Sequence, residues 1–229
     1  MKDKSPIILA LDTPDVTSAM AMIDKTLDFI SIYKLGLEFF LAHGKTGVSE
    51  IQRKFPDVDI FLDLKLHDIP NTVAGASLSI AELHPRFLTV HAAGGTEMVR
   101  AAAKNLPMTS ITAVTVLTSL GSEELLGLGL PSDPTTLAIS LAERALLGGA
   151  TSIVCSPHEA ATLRHKLGTT ITIITPGVRP KNSAHDDQNR VMTPREAINQ
   201  GANYVVIGRP ITQATSPHDA AKEIRNSLE

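Results

Sequence analysis

The stretch D-I-F-L-D-L-K-L-H-D-I-P-N-T, residues 59–72, alternates apolar side chains with Asp59, Asp63 and Lys65, and Asp68 follows three residues later. Carboxylates and an amine spaced this closely are groups that exchange protons or stabilise developing charge. Side chains two apart on a strand point the same way, so Asp63 and Lys65 are expected on one face. Lys34 lies towards the end of an earlier strand-like run, S-I-Y-K-L-G, and Asp12 ends the first, P-I-I-L-A-L-D. If those three strands are neighbours, Asp12, Lys34, Asp63 and Lys65 converge. The plainer alternative is a set of surface ion pairs at strand ends, the usual fate of charged residues. Four charges on three adjacent strand ends weaken it.

The elements that must position these residues alternate along the chain. Eight short runs rich in Ile, Val, Leu and Thr read as strands: 6–12, 31–36, 59–65, 86–92, 110–117, 151–156, 170–177 and 203–209. Helical spacing fills segments between them, such as 16–30, 72–84 and 135–150. Strand alternating with helix argues for a parallel sheet. Eight such units in 229 residues fit a single-domain α/β fold over residues 1–229, a closed (β/α)8 TIM barrel. A doubly wound sheet is the competing architecture, but no G-x-G-x-x-G follows the first strand. Barrel active sites form at the C-terminal strand ends, which is where the four charges fall. Two long polar connections, 118–134 and 176–191, have the length of lids or binding loops.

Composition narrows the class of protein. With 43% hydrophobic and 20% charged residues the chain is ordinary for a globular protein. A net charge of -3, with both signs spread along the chain, offers no basic stripe for nucleic acid. The single Cys155 excludes an internal disulfide framework and fits a reducing compartment. The first residues carry no secretory pattern, and no apolar run approaches the ~20 residues of a membrane helix. The expectation is a cytoplasmic protein with no nucleic-acid or membrane partner.

At D-L-K-L-H-D-I-P-N-T the chain resembles the orotidine 5′-phosphate decarboxylase family. The D-x-K-x-x-D core is shared by a wider group of phosphate-binding barrels, whereas Ile69-Pro70-Asn71-Thr72 is more particular. So are Y-K-L-G (33–36), V-H-A-A-G-G (90–95), P-G-V-R-P (176–180), D-Q (187–188) and I-G-R-P-I (207–211). They occur in family order over essentially the whole chain. The resemblance implies loss of carbon dioxide from C6 of orotidine 5′-phosphate, giving uridine 5′-phosphate without metal or cofactor. It implies Lys65 as proton donor, Asp63 near the substrate carboxylate, and a Lys34–Asp63–Lys65–Asp68 array. Asp68, Ile69 and Thr72 would reach the site from the partner subunit of a homodimer with shared active sites.

The same resemblance assigns the nucleotide's remaining contacts. Asp12 and Lys34 would bond the ribose hydroxyls, and Pro176 would pack on the ring. Thr118 would read the pyrimidine edge, although Ser119 beside it could do the same. Arg179, Gln188, Gly208 and Arg209 would hold the phosphate, with loop 176–191 closing over the nucleotide. That loop reads A-H-D-D-Q where the family usually has a small residue before D-Q, so Asp186 adds negative charge close to the phosphate.

Other residue types are read as structural. His67 settles on no face of its motif, His91 reads as a packed histidine, and Cys155 as a small buried hydrophobe. The histidines show no metal-ligand spacing. Two alternatives keep the barrel: a magnesium-dependent enzyme acting on a keto-sugar phosphate, and a non-catalytic nucleotide-binding protein. The first is disfavoured by I-P-N-T and the P-G-V-R-P to D-Q loop. The second requires a damaged Asp–Lys–Asp array, and Asp63, Lys65 and Asp68 are all present.

Overall fold

Runs of Ile, Val and Leu become strands wherever both faces can be buried, and here eight of them do. A computed structural model describes residues 5–180 and 192–228. Its strands are β1 (Ile7–Leu11), β2 (Ile32–Gly36), β3 (Asp59–Leu66), β4 (Phe87–His91), β5 (Ser110–Val114), β6 (Ser152–Val154), β7 (Thr172–Thr175) and β8 (Tyr204–Ile207). All neighbours pair in parallel, and β8 returns to β1, so the sheet closes into a barrel in sequence order. The eight expected strands are all present, each trimmed or extended by a few residues.

The helices are α1 (Val16–Thr26), α2 (Leu37–Lys54), α3 (Pro70–Ile80), α4 (Gly95–Asn105), α5 (Ser122–Gly127), α6 (Pro134–Leu147), α7 (Ala160–Leu167), α8 (Pro194–Asn199), α9 (Arg209–Thr212) and α10 (Pro217–Asn226). Local chemistry sets several ends. The Asp15 carboxylate accepts the Ser18 N–H at 2.7 Å to start α1, and Asp133 accepts from Thr135 and Thr136 to start α6. The first helix stops four residues short of the expected position 30. Phe29 and Ile30 N–H both fold back onto the Thr26 carbonyl, turning the chain into β2. The connection expected to be an irregular loop over 118–134 contains α5. Glu124 caps the Gly121 N–H, and Leu125 is fully buried against Val116, Leu137 and Ala138.

Alternation along the strands separates two cores. Leu9, Leu35, Leu62, Leu88, Ala113, Ile153, Ile173 and Ile207 face outward into the layer shared with the helices. Ile8, Ile32, Phe61, Phe87 and Ile174 face inward and fill the barrel, with Val154, Tyr204 and Val206 against them. Below this plug lies a polar floor. Arg86 pairs with Asp59, donates to the Tyr204 hydroxyl at 2.7 Å, and stacks over the Phe87 and Tyr204 rings. Above it, at the C-terminal strand ends, lie the charges singled out above.

Candidate active site

Strand register brings the charged residues together. Lys34 of β2 lies across from Ala10 of β1 and Phe61 of β3, and Gly36 across from Asp63. Lys34 Nζ therefore stands 3.1 Å from Asp12 Oδ1 and 3.2 Å from Asp63 Oδ2, with its side chain largely buried. Asp63 Oδ1 is 2.7 Å from Lys65 Nζ. The result is one continuous row, Asp12–Lys34–Asp63–Lys65, across three strands.

Asp63 is the hinge of this row. Burial pushes its carboxyl towards the neutral form. The Lys34 and Lys65 ammonium groups, the Lys65 hydrogen bond and the Thr89 hydroxyl together outweigh that and hold it below the usual carboxylate range. Asp63 is therefore ionised at neutral pH, and each neighbouring lysine has a fixed counter-charge.

The route by which Lys65 reaches this row differs from simple alternation. Between Leu62 and Leu66, four steps of β3 run alongside the two steps from Leu88 to Val90 of β4, so β3 bulges at its end. Lys65 itself has φ +47°, the left-handed region that a long side chain rarely enters. Its N–H donates to the Thr89 hydroxyl at 2.8 Å, and that hydroxyl donates to Asp63 Oδ1 at 3.0 Å. Sequence reasoning passed over Thr89, which looks like any other strand threonine.

The row forms one wall of a cavity of about 220 Å³ at the barrel mouth. Lys34, Asp63 and Lys65 are its charged side, and Phe61, Val114, Val116, Leu117, Val154 and Val206 its apolar side. Thr118, Pro176 and Cys155 complete the lining, so Thr118 borders this space and Ser119 is not among its lining residues. A second cavity of about 210 Å³ adjoins it, bordered by Asp12, Lys34, Gly36, Glu38, Asp63 and Lys65. An ammonium–carboxylate row against an apolar wall suits a flat, polar-edged ring.

The matching family model is that of the Orotidine 5'-phosphate decarboxylase / HUMPS family, over residues 5–224. The chain belongs to this family. It is 48% identical over 225 residues, 98% of its length and 96% of the relative's, to an orotidine 5'-phosphate decarboxylase of Thermobifida fusca (strain YX). It is 45% identical, over the full length of both chains, to one from Anaeromyxobacter dehalogenans (strain 2CP-1 / ATCC BAA-258). Among solved structures, an orotidine 5'-phosphate decarboxylase from Lactobacillus acidophilus superposes with a TM-score of 0.86 at 32% identity. That match covers 99% of this chain and all of the other.

The remaining site residues that the resemblance implies are placed as follows. Asp68 and Ile69 stand exposed on the turn between β3 and α3, Thr72 stands exposed in the first turn of α3, and none of the three lines either cavity. Asp68 accepts the Ile69 N–H at 2.6 Å. The row seen within one chain therefore begins at Asp12 and ends at Lys65, without Asp68. Gly208 follows β8 beside β1, where a Cβ would stand 3.6 Å from Ala10 Cβ and 3.8 Å from Asp12 Oδ2. Its carbonyl accepts from Ile211 and Thr212 to start α9, whose first residue is Arg209. Arg179 donates its backbone N–H to Met192 at 3.1 Å, tying together the two sides of the loop after β7. Gln188 and Asp186 lie outside the described residues.

The residues read as structural are placed as follows. His91 is half-buried with its ring 5.3 Å from that of His67, and burial, helped by His67 and Lys65, holds it below the ordinary imidazole value. It is neutral at pH 7. Burial pushes the Cys155 thiol up, so it stays protonated. Among the described residues no three His, Cys, Asp or Glu side chains are grouped to hold a metal ion. No helix among them is long and apolar enough to cross a membrane.

Proposed function

We propose that this protein decarboxylates orotidine 5′-phosphate to uridine 5′-phosphate, with Lys65 as the proton donor and without metal or cofactor. The observation that carries the reading is the Asp12–Lys34–Asp63–Lys65 row facing an apolar cavity. A purely structural core would be served better by Leu and Val, because desolvating each ion costs several kcal/mol.

The chemistry explains why such a row is useful. The C6–carboxylate bond breaks, carbon dioxide departs, and the electron pair stays on C6 in the plane of the ring. That pair cannot spread into the π system, so electrostatics must stabilise it. The Lys65 ammonium, held by Asp63, stands beside C6, stabilises the carbanion and then delivers its proton there. At about 4 Å and an effective dielectric of about 20, that contact is worth roughly 4 kcal/mol. Rate enhancements require about 8–23 kcal/mol, so Lys65 acts with other contributions. Binding the remote phosphate supplies part of the rest by closing and desolvating the reacting end.

By family resemblance the ribose lies against Asp12 and Lys34, the pyrimidine edge against Thr118, and the ring on Pro176. Arg179, Gln188, Gly208 and Arg209 take the phosphate, for which the guanidinium fork is geometrically suited. Asp68, Ile69 and Thr72 come from the second protomer of a homodimer. Their exposure in a single chain supports that arrangement. The protein is placed in the cytoplasm, in keeping with one free, buried cysteine.

The test follows the absorbance of orotidine 5′-phosphate with purified protein and EDTA throughout. Conversion to uridine 5′-phosphate under these conditions supports the reading. No conversion by folded protein, with turnover of a keto-sugar phosphate once magnesium is added, would overturn it in favour of the sugar-phosphate reaction.

A further inference from the structure

Thr89 lies at the midpoint of β4 with no solvent exposure, directly opposite the bulge in β3. Its hydroxyl has one proton and two lone pairs. The proton goes to Asp63 Oδ1 at 3.0 Å, and a lone pair takes the Lys65 N–H at 2.8 Å. The β3–β4 register is interrupted between Leu62 and Leu66, so regular ladder pairing does not hold Lys65 in place there. A single side-chain oxygen therefore joins the backbone of one charged residue to the carboxylate of the other. The joined backbone is the left-handed one, φ +47°, which persists only where its surroundings enforce it.

We propose that Thr89 is a positioning residue that locks the β3 bulge, fixing the direction of Lys65 and the orientation of the Asp63 carboxylate together. The inference rests on the assignment of Lys65 and Asp63 to the reaction above. Thr89 acts through them, since it is absent from the lining of both mouth cavities. Without the hydroxyl, Lys65 loses the acceptor that holds its amide, and Asp63 keeps its two lysines but loses the bond that sets its rotation. The row remains charged but is aimed less well.

The test compares Thr89→Val, which keeps the shape and removes the hydroxyl, with Thr89→Ser, which keeps the hydroxyl. A displacement of about 1 Å at a reacting group costs roughly 100-fold, so kcat of Thr89→Val should fall by about that factor with KM nearly unchanged. The acid limb of its pH–kcat profile should also move to higher pH, because the Asp63 carboxylate has lost a donor. Thr89→Ser should restore both. Wild-type kcat and pH profile in folded Thr89→Val would overturn the proposal, as would equal losses in the two variants. Should Thr89→Val fail to fold, Thr89→Cys offers a near-isosteric, weakly bonding replacement for the same measurements.

Amide hydrogen exchange at Lys65 provides a readout that needs no turnover. Exchange should be at least about tenfold faster in Thr89→Val than in wild type or Thr89→Ser, each loss of about 1.4 kcal/mol being a factor of ten. Unchanged exchange would overturn the proposal. If the wild-type chain leaves orotidine 5′-phosphate untouched, the assigned reaction is wrong, and this exchange comparison alone decides the fate of the Thr89 lock.

Discussion

Replacing Asp63 by Asn removes one charge from the centre of the row while keeping its shape. The carboxylate is only 13% exposed and touches two ammonium groups, Lys34 at 3.2 Å and Lys65 at 2.7 Å. With charge centres roughly 4 Å apart and an effective dielectric of about 20, each pair is worth about 4 kcal/mol before desolvation. The depressed carboxyl of Asp63 indicates that pairing exceeds the burial cost. Breaking such a pair costs about 3–5 kcal/mol. Lys65 is one-third exposed and can partly rehydrate, so the lower end, about 3 kcal/mol, applies. For 229 residues this corresponds to a Tm lowered by roughly 6–12 °C, read by calorimetry at matched protein concentration.

The pH dependence follows from the sign of the shift. Asp63 has a folded value below its unfolded one, near 3.9. Its stabilisation is therefore complete above about pH 4 and lost as the pH falls through the folded value. The advantage of wild type over Asp63→Asn should be flat from about pH 8 to 5 and shrink below about 4. An Asn variant as stable as wild type at pH 7 would refute the claim that the two lysines outweigh burial. A gap that persists unchanged to pH 2 would refute the titration argument.

Lys65→Ala should lose nearly all turnover and still bind uridine 5′-phosphate; if the site is shared between two protomers as proposed, mixing it with Asp68→Ala should regenerate activity, because half the sites of a mixed dimer would then be intact, and no regain after verified subunit exchange counts against sharing. Arg86→Met removes the floor's ion pair and the bond to Tyr204, and should lower stability by about 2–4 kcal/mol in urea titrations while leaving kcat close to wild type. Burial pushes Glu159 up to about 7 from 4.5, so folding it in the ionised form becomes unfavourable as the pH rises between those values. Glu159→Gln should therefore gain on wild type from about pH 4.5 to 7, reaching on the order of 2–3 kcal/mol above pH 7, read as a Tm difference that is larger at pH 8 than at pH 4.

The strands were legible because parallel strands buried on both faces must be continuous apolar runs, and charges interrupting such runs are conspicuous. Asp12, Lys34, Asp63 and Lys65 could be gathered at one mouth on that ground alone. The bulge that aims Lys65 was not legible. It depends on the register against β4, a long-range property that Asp63-Leu64-Lys65 does not encode locally. Thr89 was missed for the same reason, since threonine is common in strands and only its placement opposite the bulge gives it a task. Helix α5 escaped notice because its six residues show less than two turns of periodicity, and a single buried side chain, Leu125, anchors it. The separation of Asp68 from the row is equally invisible locally, because a strand turning into a helix can carry its next side chain either way.

The inward-facing Ile8, Ile32, Phe61, Phe87 and Ile174 have one more consequence. They make the mouth a blind well. Among the described residues, Phe61 and Phe87 stand with the other inward-facing side chains between the polar floor and the charged row, so the barrel interior offers water, ions or a released gas no apparent rear route. This plug closes the well from below among the described residues, so a nucleotide seated at the mouth would act as its own stopper. Substitutions at the two ends of the barrel should therefore leave each other's chemistry undisturbed until that hydrocarbon septum is breached.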